Sequence, residues 1–412
     1  MKNVLYSVLL CLLAVVPARA EWEKTNFPTS MPNKMAFSSD GHLVVGEFSE
    51  MYSTTGEGGL YVSPDLGENW TKVDMPNYNF ASFVETEDAF YAFGDEGNVL
   101  KTEDFETWET LNFAHLYEEG LELTESYASA YYKGRIYCAP LGMAPVYSED
   151  GGKTWALTDG SGLDLYGGVW LYSMLEYKGK LYACGGDGIF CLNEDMKSWT
   201  CVEAAFFAMG MTVYQDKLFV NFDVQGSPYP ILYTENGTDW VELAIPEDYV
   251  DQNSVGSVCV VGDMLVIGSL KGIFYTQDLT TWNDISAGFP IDNPAYTNPY
   301  VKPTCMVLHG DYVYASAFDA SEGKKGGLFK LNTKDFAGLV EVEKDAWTVR
   351  VSDNLLTVSG TDKVDICVYN LMGCEVYRGS GREANLSQLE CGTYIYVISA
   401  GNQTQRGKFM LR

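Results

Sequence analysis

Arginine is nearly missing from most of this 412-residue chain. Between residues 21 and 343 only Arg135 occurs, and the same segment holds 49 acidic and 17 basic residues. Guanidinium groups grip carboxylates and phosphates with two parallel hydrogen bonds that lysine does not reproduce, so a site with several arginines around an anionic substrate is excluded here. The acidic balance disfavours nucleic acid and anionic lipid as partners and favours neutral or basic molecules or divalent cations.

Histidine is scarce as well, and the usual catalytic signatures are missing. The three histidines, His42, His115 and His309, do not have the spacing of metal ligands. The sequence contains no G-x-S-x-G, Walker or dinucleotide-binding pattern, so nucleophilic catalysis has no candidate residue. After residue 20 no stretch is apolar enough to cross a membrane as a helix, and we expect no membrane span.

The first twenty residues have the pattern of a signal peptide. Lys2 provides a basic start, residues 4–16 form an apolar run too short to span a bilayer, and residues 18–20 form a small-residue cleavage site. The pattern predicts an exported protein whose mature chain starts at residue 21.

Cysteine does not indicate a disulfide scaffold. Nine of the ten cysteines follow the leader, an odd number, and no C-x-x-C spacing occurs. Cys259 and Cys305 open equivalent strands of successive repeats and are expected to be small buried residues. Pairs remain open in an oxidising compartment, and the candidates are Cys191 with Cys201, or two of Cys367, Cys374 and Cys391.

A tryptophan-terminated motif recurs along the chain. SPDLGENW (63–70) and SEDGGKTW (148–155) share the form S-x-D-x-G-x-x-W, and four shorter copies end at residues 108, 199, 240 and 282. Identical chemistry in every repeat is typical of a scaffold, so we interpret these residues as structural and not as catalytic acids or metal ligands. The residues assigned to the motif are Ser63, Asp65, Gly67, Trp70, Asp104, Trp108, Ser148, Asp150, Gly152, Trp155, Asp195, Trp199, Asn236, Trp240, Asp278 and Trp282.

Each motif belongs to a longer repeat of about 40 residues. Upstream lie two apolar, alternating runs joined by a two-residue turn, as in YYKGRIYCA (131–139) and EYKGKLYAC (176–184), and then a third run such as GIFYT (272–276). In a seventh unit, Phe336 takes the place of the tryptophan. Seven units of about four short strands predict an all-β fold with a seven-bladed β-propeller over residues 21–343, and an open solenoid is the alternative.

The repeated motif resembles the Asp-box, or BNR, repeat of sialidases, sortilin-type receptors and photosystem assembly factors. Sialidases of this architecture hold the substrate carboxylate with three arginines and carry an early Arg-Ile-Pro motif. Neither feature is present here, so sialidase activity is not expected.

The ligand is expected on the face opposite these turns, where the connecting loops vary in length. Two readings of the acidic residues there stay open, a Ca²⁺ or sugar-hydroxyl site and a solvated polar rim. Exposed aromatic rings would stack on sugars or peptide side chains, although Trp170 could instead begin the fourth unit as a core residue. The candidates are the acids Glu47, Asp95, Asp187, Asp223 and Asp319 and the aromatics Tyr166, Trp170, Tyr229, Tyr296 and Tyr300.

Residues 344–412 differ in character, with eight basic and seven acidic residues and no repeat. Short alternating runs between Gly and Asn turns predict a small Ig-like antiparallel β-sandwich. The segment resembles the C-terminal sorting domain of the type IX (Por) secretion system of Bacteroidetes. The resemblance rests on residues 368–370 with Gly373, on Leu386 and Leu389 before GTYIY (392–396), and on the basic end at Lys408 and Arg412.

Cys374 and Cys391 depart from the sorting-domain pattern, and an accessory Ig-like domain is the alternative. The resemblance implies contact with the secretion machinery and translocation across the outer membrane. The sequence therefore favours an exported or cell-surface protein that binds a glycan or an extracellular protein and requires no cofactor, with Ca²⁺ as a possible ligand. The rival hypotheses are a glycosidase or lyase that acts on a neutral polysaccharide with two rim carboxylates, and a structural subunit of a surface assembly.

Overall fold

The structure is a computed structural model of the chain, and it forms two compact units, Met1–Ala337 and Gly338–Arg412. The expected leader (1–20) and the expected domain junction after residue 343 lie outside the described residues. The described residues are 21–47, 58–76, 78–121, 123–163, 169–223, 227–291, 302–318, 326–335, 348–352, 355–359, 364–370, 375–389, 392–400 and 403–411.

Over its described residues, the first unit contains seven four-stranded antiparallel sheets. The short strand β1 (Glu23–Lys24) belongs to the seventh sheet. The first three sheets consist of β2 (Pro32–Phe37), β3 (Leu43–Glu47), β4 (Gly59–Ser63) and β5 (Thr71–Lys72); β6 (Ser82–Glu85), β7 (Phe90–Phe93), β8 (Asn98–Thr102) and β9 (Glu109–Asn112); and β10 (Ser126–Tyr132), β11 (Arg135–Pro140), β12 (Val146–Ser148) and β13 (Ala156–Leu157).

The other four sheets have the same strand order. They consist of β14 (Leu171–Tyr177), β15 (Lys180–Gly185), β16 (Gly188–Leu192) and β17 (Trp199–Ala204); β18 (Ala208–Tyr214), β19 (Lys217–Phe222), β20 (Ile231–Thr234) and β21 (Trp240–Leu243); β22 (Val255–Val261), β23 (Met264–Ser269), β24 (Gly272–Thr276) and β25 (Asn283–Asp284); and β26 (Lys302–His309), β27 (Tyr312–Phe318) and β28 (Gly327–Asn332) with β1. Single 3₁₀ turns occur at Ala114–Leu116, Gly160–Gly162 and Thr333–Asp335.

Local sequence explains the hairpins between the first and second strands. In the third sheet, Lys133 and Gly134 both have positive φ, and Lys178 and Gly179 repeat this in the fourth. Two consecutive residues with positive φ form the tight turn that matches the twist of antiparallel strands, and glycine adopts this conformation at little cost. The expected hairpins are therefore present at these positions.

The first strands of the sheets contact one another in a closed cycle. Each of β2, β6, β10, β14, β18, β22 and β26 contacts the next, and β26 contacts β2. Strand β1 completes the seventh sheet by pairing with β28, so the beginning and the end of the unit meet in one sheet. The Trp22 indole strengthens this closure by donating a hydrogen bond to the Ile285 carbonyl at 2.8 Å.

The hydrophobic core lies between neighbouring sheets. Each main cluster combines two sheets, as where Tyr91 and Phe93 of the second sheet pack with Trp155 of the third. Continuous burial along second and third strands, for example all five residues of β4, agrees with sheets covered on both faces.

The strand order gives the first unit two distinct faces. We call the side with the first hairpins and the tryptophan turns the turn face. The opposite side, the loop face, carries the connections between second and third strands and those that lead into each first strand. The expectation that the tryptophan motif joins the third and fourth strands is met at residues 63–70, which link β4 to β5.

Over the residues that the structure describes, the second unit contains two antiparallel sheets. The larger one has the order β32 (Glu375–Gly381), β31 (Val364–Asn370), β34 (Gly392–Ala400) and β35 (Gln403–Leu411). The smaller one consists of β29 (Thr348–Ser352), β30 (Leu355–Ser359) and β33 (Glu383–Asn385). Leu356, Ile366 and Ile398 are among the fully buried residues that form its core.

Cys191 and Cys201 are free, although the sequence left a disulfide between them open. Cys191 faces Thr200 and Cys201 faces Phe190, so the two cysteines occupy neighbouring positions in the register of one strand pair. Since neighbouring positions point to opposite faces of a sheet, these thiols cannot meet. Cys259 is buried as expected and Cys305 is partly buried, while Cys374 and Cys391 lie outside the described residues.

Candidate functional site

The two full copies of the tryptophan motif form the same hydrogen-bonded turn. Ser63 Oγ donates to Asp65 Oδ1 at 2.9 Å and accepts the Gly67 amide at 2.8 Å. The Asp65 carboxylate also accepts the amide of Asn69 at 2.8 Å. Ser148, Asp150 and Gly152 repeat these contacts with the same distances. Both side chains of the motif therefore cap backbone groups of their own turn.

Three of the four shorter copies make a tighter version of this turn, whereas in the copy at 193–199 the Met196 amide donates to the Asn193 main-chain carbonyl. Thr102 Oγ1 accepts the amide of Phe105, three residues later, whereas the serine of a full copy accepts an amide four residues later. Phe105 is the single residue of its turn with positive φ, while the full copy has two, Leu66 and Gly67. Each shorter copy thus has one left-handed residue where each full copy has two.

Tyrosines from neighbouring sheets attach to these turns. Tyr91 of β7 donates its hydroxyl to the carbonyl of Gly151 at 3.2 Å, and Tyr137 of β11 donates to that of Met196 at 3.0 Å. Tyr314 of β27 makes the same contact with Leu66 at 3.1 Å. Each bond joins a second strand to the turn of the following sheet. This role of the tyrosines was not predicted from the sequence, although its signal is visible in the tyrosine that recurs in FYAF, RIYCA and YVYAS.

The motif carboxylates are occupied within their turns. Hydrogen bonds from Asn69 lower the pKa of Asp65, and those from Thr154 lower the pKa of Asp150. Asp104, Asp195 and Asp278 have lowered pKa values for the same reason, with donors from residues two or three positions later. Carboxylates held in the charged form by amide donors are poor proton donors. The turn geometry supports a structural role, and it remains a prediction that these residues bind no ligand.

The arginine and two of the histidines on the turn face also have structural partners. Arg135 forms an ion pair with Glu149 and donates to the Met196 carbonyl at 2.9 Å. The His42 ring stacks on Phe105 at 4.3 Å, and the His309 ring stacks on Phe37 at 4.0 Å. Both stacks join neighbouring sheets.

Of the five predicted rim acids, Glu47 is fully buried and Asp95 is partly buried. Glu47, at the end of β3, is fully buried and accepts the Tyr61 hydroxyl at 3.2 Å. Asp95 follows β7 and accepts Asn79 Nδ2 at 3.1 Å. Burial raises the pKa of Asp95 to about 6 against the opposing Asn79 hydrogen bonds, and repulsion from Glu125 adds to the increase. The expectation of a solvated rim does not describe these two residues.

The other predicted acids differ in their surroundings. The Asp223 carboxylate accepts the Lys302 ammonium at 2.5 and 2.6 Å and the Ser254 hydroxyl at 2.8 Å, so its charge is compensated. Asp187 lies in the connection between β15 and β16 and is partly exposed. Asp319 lies outside the described residues. Within the described ranges, no group of three or more His, Cys, Asp or Glu side chains is placed to hold a metal ion.

Trp170 is 48% exposed, so the reading that made it a core residue is wrong. Tyr229 is partly buried and packs edge-on against Phe222 at 5.8 Å. Tyr166, Tyr296 and Tyr300 lie outside the described residues.

Sequence reasoning missed two aromatic residues next to Trp170. Phe206 and Phe207, in the connection from β17 to β18, are 54% and 44% exposed. The Gly186 amide donates to the Trp170 carbonyl at 2.7 Å, and the Phe207 amide donates to the Gly186 carbonyl at 3.1 Å. These bonds bring the backbone segments that carry the three aromatic residues together on the loop face, next to Asp187. We call Trp170, Phe206, Phe207 and Asp187 the aromatic patch.

A cavity of about 240 Å³ opens along the centre of the first unit. All seven first strands line it, and in six of them the strand pairing shifts near the start of the strand. Such bulges bend a strand and redirect its side chains. The cavity-lining residues at these shifts are Lys34, Tyr127, Tyr172, Met209, Gly256 and Thr304.

The end of the chain matches a known family. Residues 351–412 match the model described as "Secretion system C-terminal sorting domain". This domain indicates secretion through the type IX system to the cell surface or the extracellular space, and it implies contact with the secretion machinery. No helix among the described residues has the length and hydropathy to cross a membrane.

Several solved structures share the fold at low sequence identity. A structure of YCF48 bound to D1 peptide has a TM-score of 0.54 at 14% identity, and the match covers 76% of this chain and 97% of that one. Virginiamycin B lyase from Staphylococcus aureus matches with a TM-score of 0.56 at 11% identity, over 76% of this chain and 99% of that one. The β-propeller domain of Cps50 (Swd1) from Myceliophteria thermophila has a TM-score of 0.52 at 8% identity, and the match covers 76% of this chain and 99% of that domain. No curated protein matches the sequence. The likenesses support a propeller-like all-β fold and carry no function with them.

Proposed function

We propose that this protein is an exported binding protein that recognises a glycan or an extracellular protein through the loop face of its first unit. In this proposal the seven sheets are the blades of one β-propeller and the tryptophan turns are Asp-box turns. The second unit is an Ig-like sandwich that serves as the sorting domain. The closed cycle of first strands and the repeated capping hydrogen bonds support these assignments.

The aromatic patch is the observation that supports binding. An exposed indole and two exposed phenyl rings belong to neighbouring backbone segments on a face where soluble proteins usually present polar loops. Rings of this kind stack on the apolar faces of sugars or pack against peptide side chains, and an adjacent carboxylate accepts hydroxyl or amide hydrogens. The structural neighbours include one bound to a peptide and one named as a lyase, so the fold alone does not choose the ligand.

The test is binding of the purified chain from residue 21 to a broad glycan array, with calcium and then with chelator. For any glycan that binds, we expect Trp170→Ala to weaken binding by at least about tenfold, because buried aromatic anchors dominate such interfaces. Tyr131→Ala is the matched control, since Tyr131 is 43% exposed and lies on the turn face. Equal binding by the Trp170 variant would show that the loop-face assignment is wrong.

The protein-ligand alternative within this proposal has its own measurement. A photo-crosslinking residue at position 170, compared with one at position 131, reports which face meets a partner on intact cells. A discrete adduct formed only from position 170 supports a protein partner. If neither position gives an adduct and the array is empty, the binding proposal fails.

A second candidate function is hydrolysis or elimination on a neutral polysaccharide. The raised pKa of Asp95, about 6, is the feature of a general acid, and the buried Glu125 lies close enough to repel its charge. A retaining or inverting glycosidase needs two such carboxyl groups. Release of reducing ends from an array-positive glycan, abolished by Asp95→Asn, would support the enzyme. Intact glycan after prolonged incubation would exclude it.

A further inference from the structure

Asp187 differs from the other acids that were predicted for the loop face and that the structure describes. Glu47 and Asp95 accept side-chain hydrogen bonds, and Asp223 forms an ion pair. Asp187 is partly exposed, and no ion pair or side-chain hydrogen bond of its carboxylate is found among the described residues. This carboxylate is therefore available to a partner of opposite charge.

Glu203 adds a second carboxylate at the same end of the fourth sheet. Asp187 directly precedes β16, and Ile189 of β16 faces Glu203 of β17 in the strand pairing. Glu203 is partly exposed too, and within the described ranges its side chain has no ion pair or hydrogen bond. The lysines of this sheet all lie at its other end, in the first hairpin and the tryptophan turn, and they are Lys178, Lys180 and Lys197. The loop-face end of the sheet thus carries acids without a basic residue of its own.

Phe207 has a backbone conformation that costs free energy. Its φ is 58°, in the left-handed region that bulky side chains rarely adopt. The hydrogen bond from its amide to the Gly186 carbonyl holds this conformation. The Phe207 ring is nevertheless largely exposed, so burial of the ring does not offset the strain. Strained residues that contribute little to the core are typical of binding sites.

Two glycines determine how closely Trp170 approaches its neighbours. A side chain at position 185 would place its Cβ 1.8 Å from the Trp170 carbonyl oxygen, and one at position 186 would place its Cβ 3.1 Å from Trp170 Cβ. Gly185 and Gly186 therefore allow the segment that carries the exposed indole to pack against the connection that carries Asp187.

These features match a partner that has both apolar and cationic groups. Exposed aromatic rings gain free energy from contact with apolar side chains, and their faces attract the cations of lysine and arginine. Carboxylates beside the rings attract the same cations. Residues 21–343 contain 49 acidic and 17 basic residues, so the field of the whole unit also draws cationic molecules to it. A neutral sugar would contact the rings but would gain nothing from this charge.

We propose that the aromatic patch, together with Glu203, binds a cationic peptide segment of an extracellular protein, in which lysine or arginine lies next to large apolar side chains. This inference rests on the proposed function, because it uses the same loop face. It narrows the partner to one chemistry and makes a neutral glycan the contrary result.

Selection of a phage-displayed random peptide library on the immobilised chain from residue 21, and in parallel on its Trp170→Ala variant, tests this. We expect the unaltered chain to enrich peptides that have a net positive charge and at least one large apolar side chain. The Trp170 variant should not enrich them.

Fluorescence anisotropy with a selected peptide then separates local recognition from the attraction of the overall charge. Asp187→Asn should weaken binding by at least about fivefold, because it removes a carboxylate beside the rings. Asp88→Asn is the matched control, since Asp88 is exposed on the turn face, and it should change the affinity by less than about twofold.

Each other outcome overturns the inference. Enriched peptides without a positive excess would show that charge does not select the partner. Equal weakening by Asp187→Asn and Asp88→Asn would show attraction by net charge alone. If no peptide is enriched while a neutral glycan binds and Trp170→Ala abolishes that binding, this inference fails and the proposed function stands. If no peptide is enriched, no glycan binds and position 170 gives no adduct, both fail.

Discussion

Asp95 shows how one residue can link burial to pH dependence. Its carboxyl group is desolvated beside Asn79 and Glu125, and its Oδ1 has no hydrogen-bond partner. The pKa is about 6 in the folded chain and near 3.8 for an ordinary aspartate. Between these values the folded chain binds more protons than the unfolded chain, so the contribution of Asp95 to stability decreases as the pH rises through that range.

We therefore predict that Asp95→Asn stabilises the first unit at pH 7 by roughly 1 kcal/mol, a value reduced for partial solvent exposure. The asparagine side chain that replaces Asp95 carries no charge, so its burial costs less, and its amide oxygen can still accept the hydrogen bond from Asn79 Nδ2. The advantage should shrink as the pH falls toward 4. Urea unfolding at pH 7 and pH 4, with the exposed Asp74→Asn as control, measures both values. A stability difference that does not change with pH would contradict this account.

The motif aspartates behave in the opposite way. Hydrogen bonds from their own turns lower the pKa of Asp65, Asp104 and Asp150, so their contribution is present above the ordinary aspartate pKa and is lost as the pH falls below it. We therefore expect low pH to lower the stability of the tryptophan turns, in a range where Asp95 is protonated and no longer lowers the stability of the fold.

At the scale of elements, the tyrosine contacts connect sheets that share little backbone pairing. Tyr91 is fully buried at its ring and reaches the Gly151 carbonyl, which belongs to a left-handed residue of the next turn. The bond therefore couples the second sheet to the conformation of the third. Such side-chain bonds add to the packed side chains and to a few direct bonds between neighbouring sheets, such as that from Ser82 Oγ to the Ser126 carbonyl at 2.6 Å.

Tyr91→Phe should lower the free energy of unfolding by about 1 kcal/mol, since it removes a buried hydroxyl and leaves the Gly151 carbonyl without its donor. Tyr131→Phe, on an exposed tyrosine of a neighbouring hairpin, should have no measurable effect. Chemical denaturation followed by tryptophan fluorescence compares the two variants. If both unfold at the same denaturant concentration, the contact contributes nothing to stability.

The whole molecule combines a propeller-like first unit with a secretion signal. The match of residues 351–412 to the sorting-domain family accounts for the change in composition after residue 343, where the acid excess of the first unit disappears. A strongly acidic unit is well suited to remain soluble outside the cell.

Deletion of residues 344–412 should leave the truncated chain in the periplasm, because the segment read by the secretion machinery is gone. Cell fractionation with immunoblotting locates the protein. Fusion of residues 344–412 to a reporter that otherwise remains in the periplasm is the complementary control, and it should move the reporter outside. Normal export of the truncated chain would refute the role of this segment.

Much of this protein could be determined from the sequence by itself. The alternation of apolar residues, the glycine turns and the 40-residue period are local signals, and they predicted the strands, the hairpins and the position of the tryptophan turns. The type of chemistry in each turn was also predictable, because serine, aspartate and glycine act on amides only three or four residues away. The tail was identified from short motifs, and the family match agrees with that identification.

Only the tertiary structure decided which of these residues a ligand can reach. Glu47 and Trp170 were both candidate ligand-binding residues of the loop face, yet one is fully buried and the other is half exposed, since burial depends on the sheet that packs against them. The grouping of Phe206 and Phe207 with Trp170 needs two hydrogen bonds through Gly186. Lys34 lines a cavity that exists only when the seven sheets close, so no local pattern could have shown this cavity.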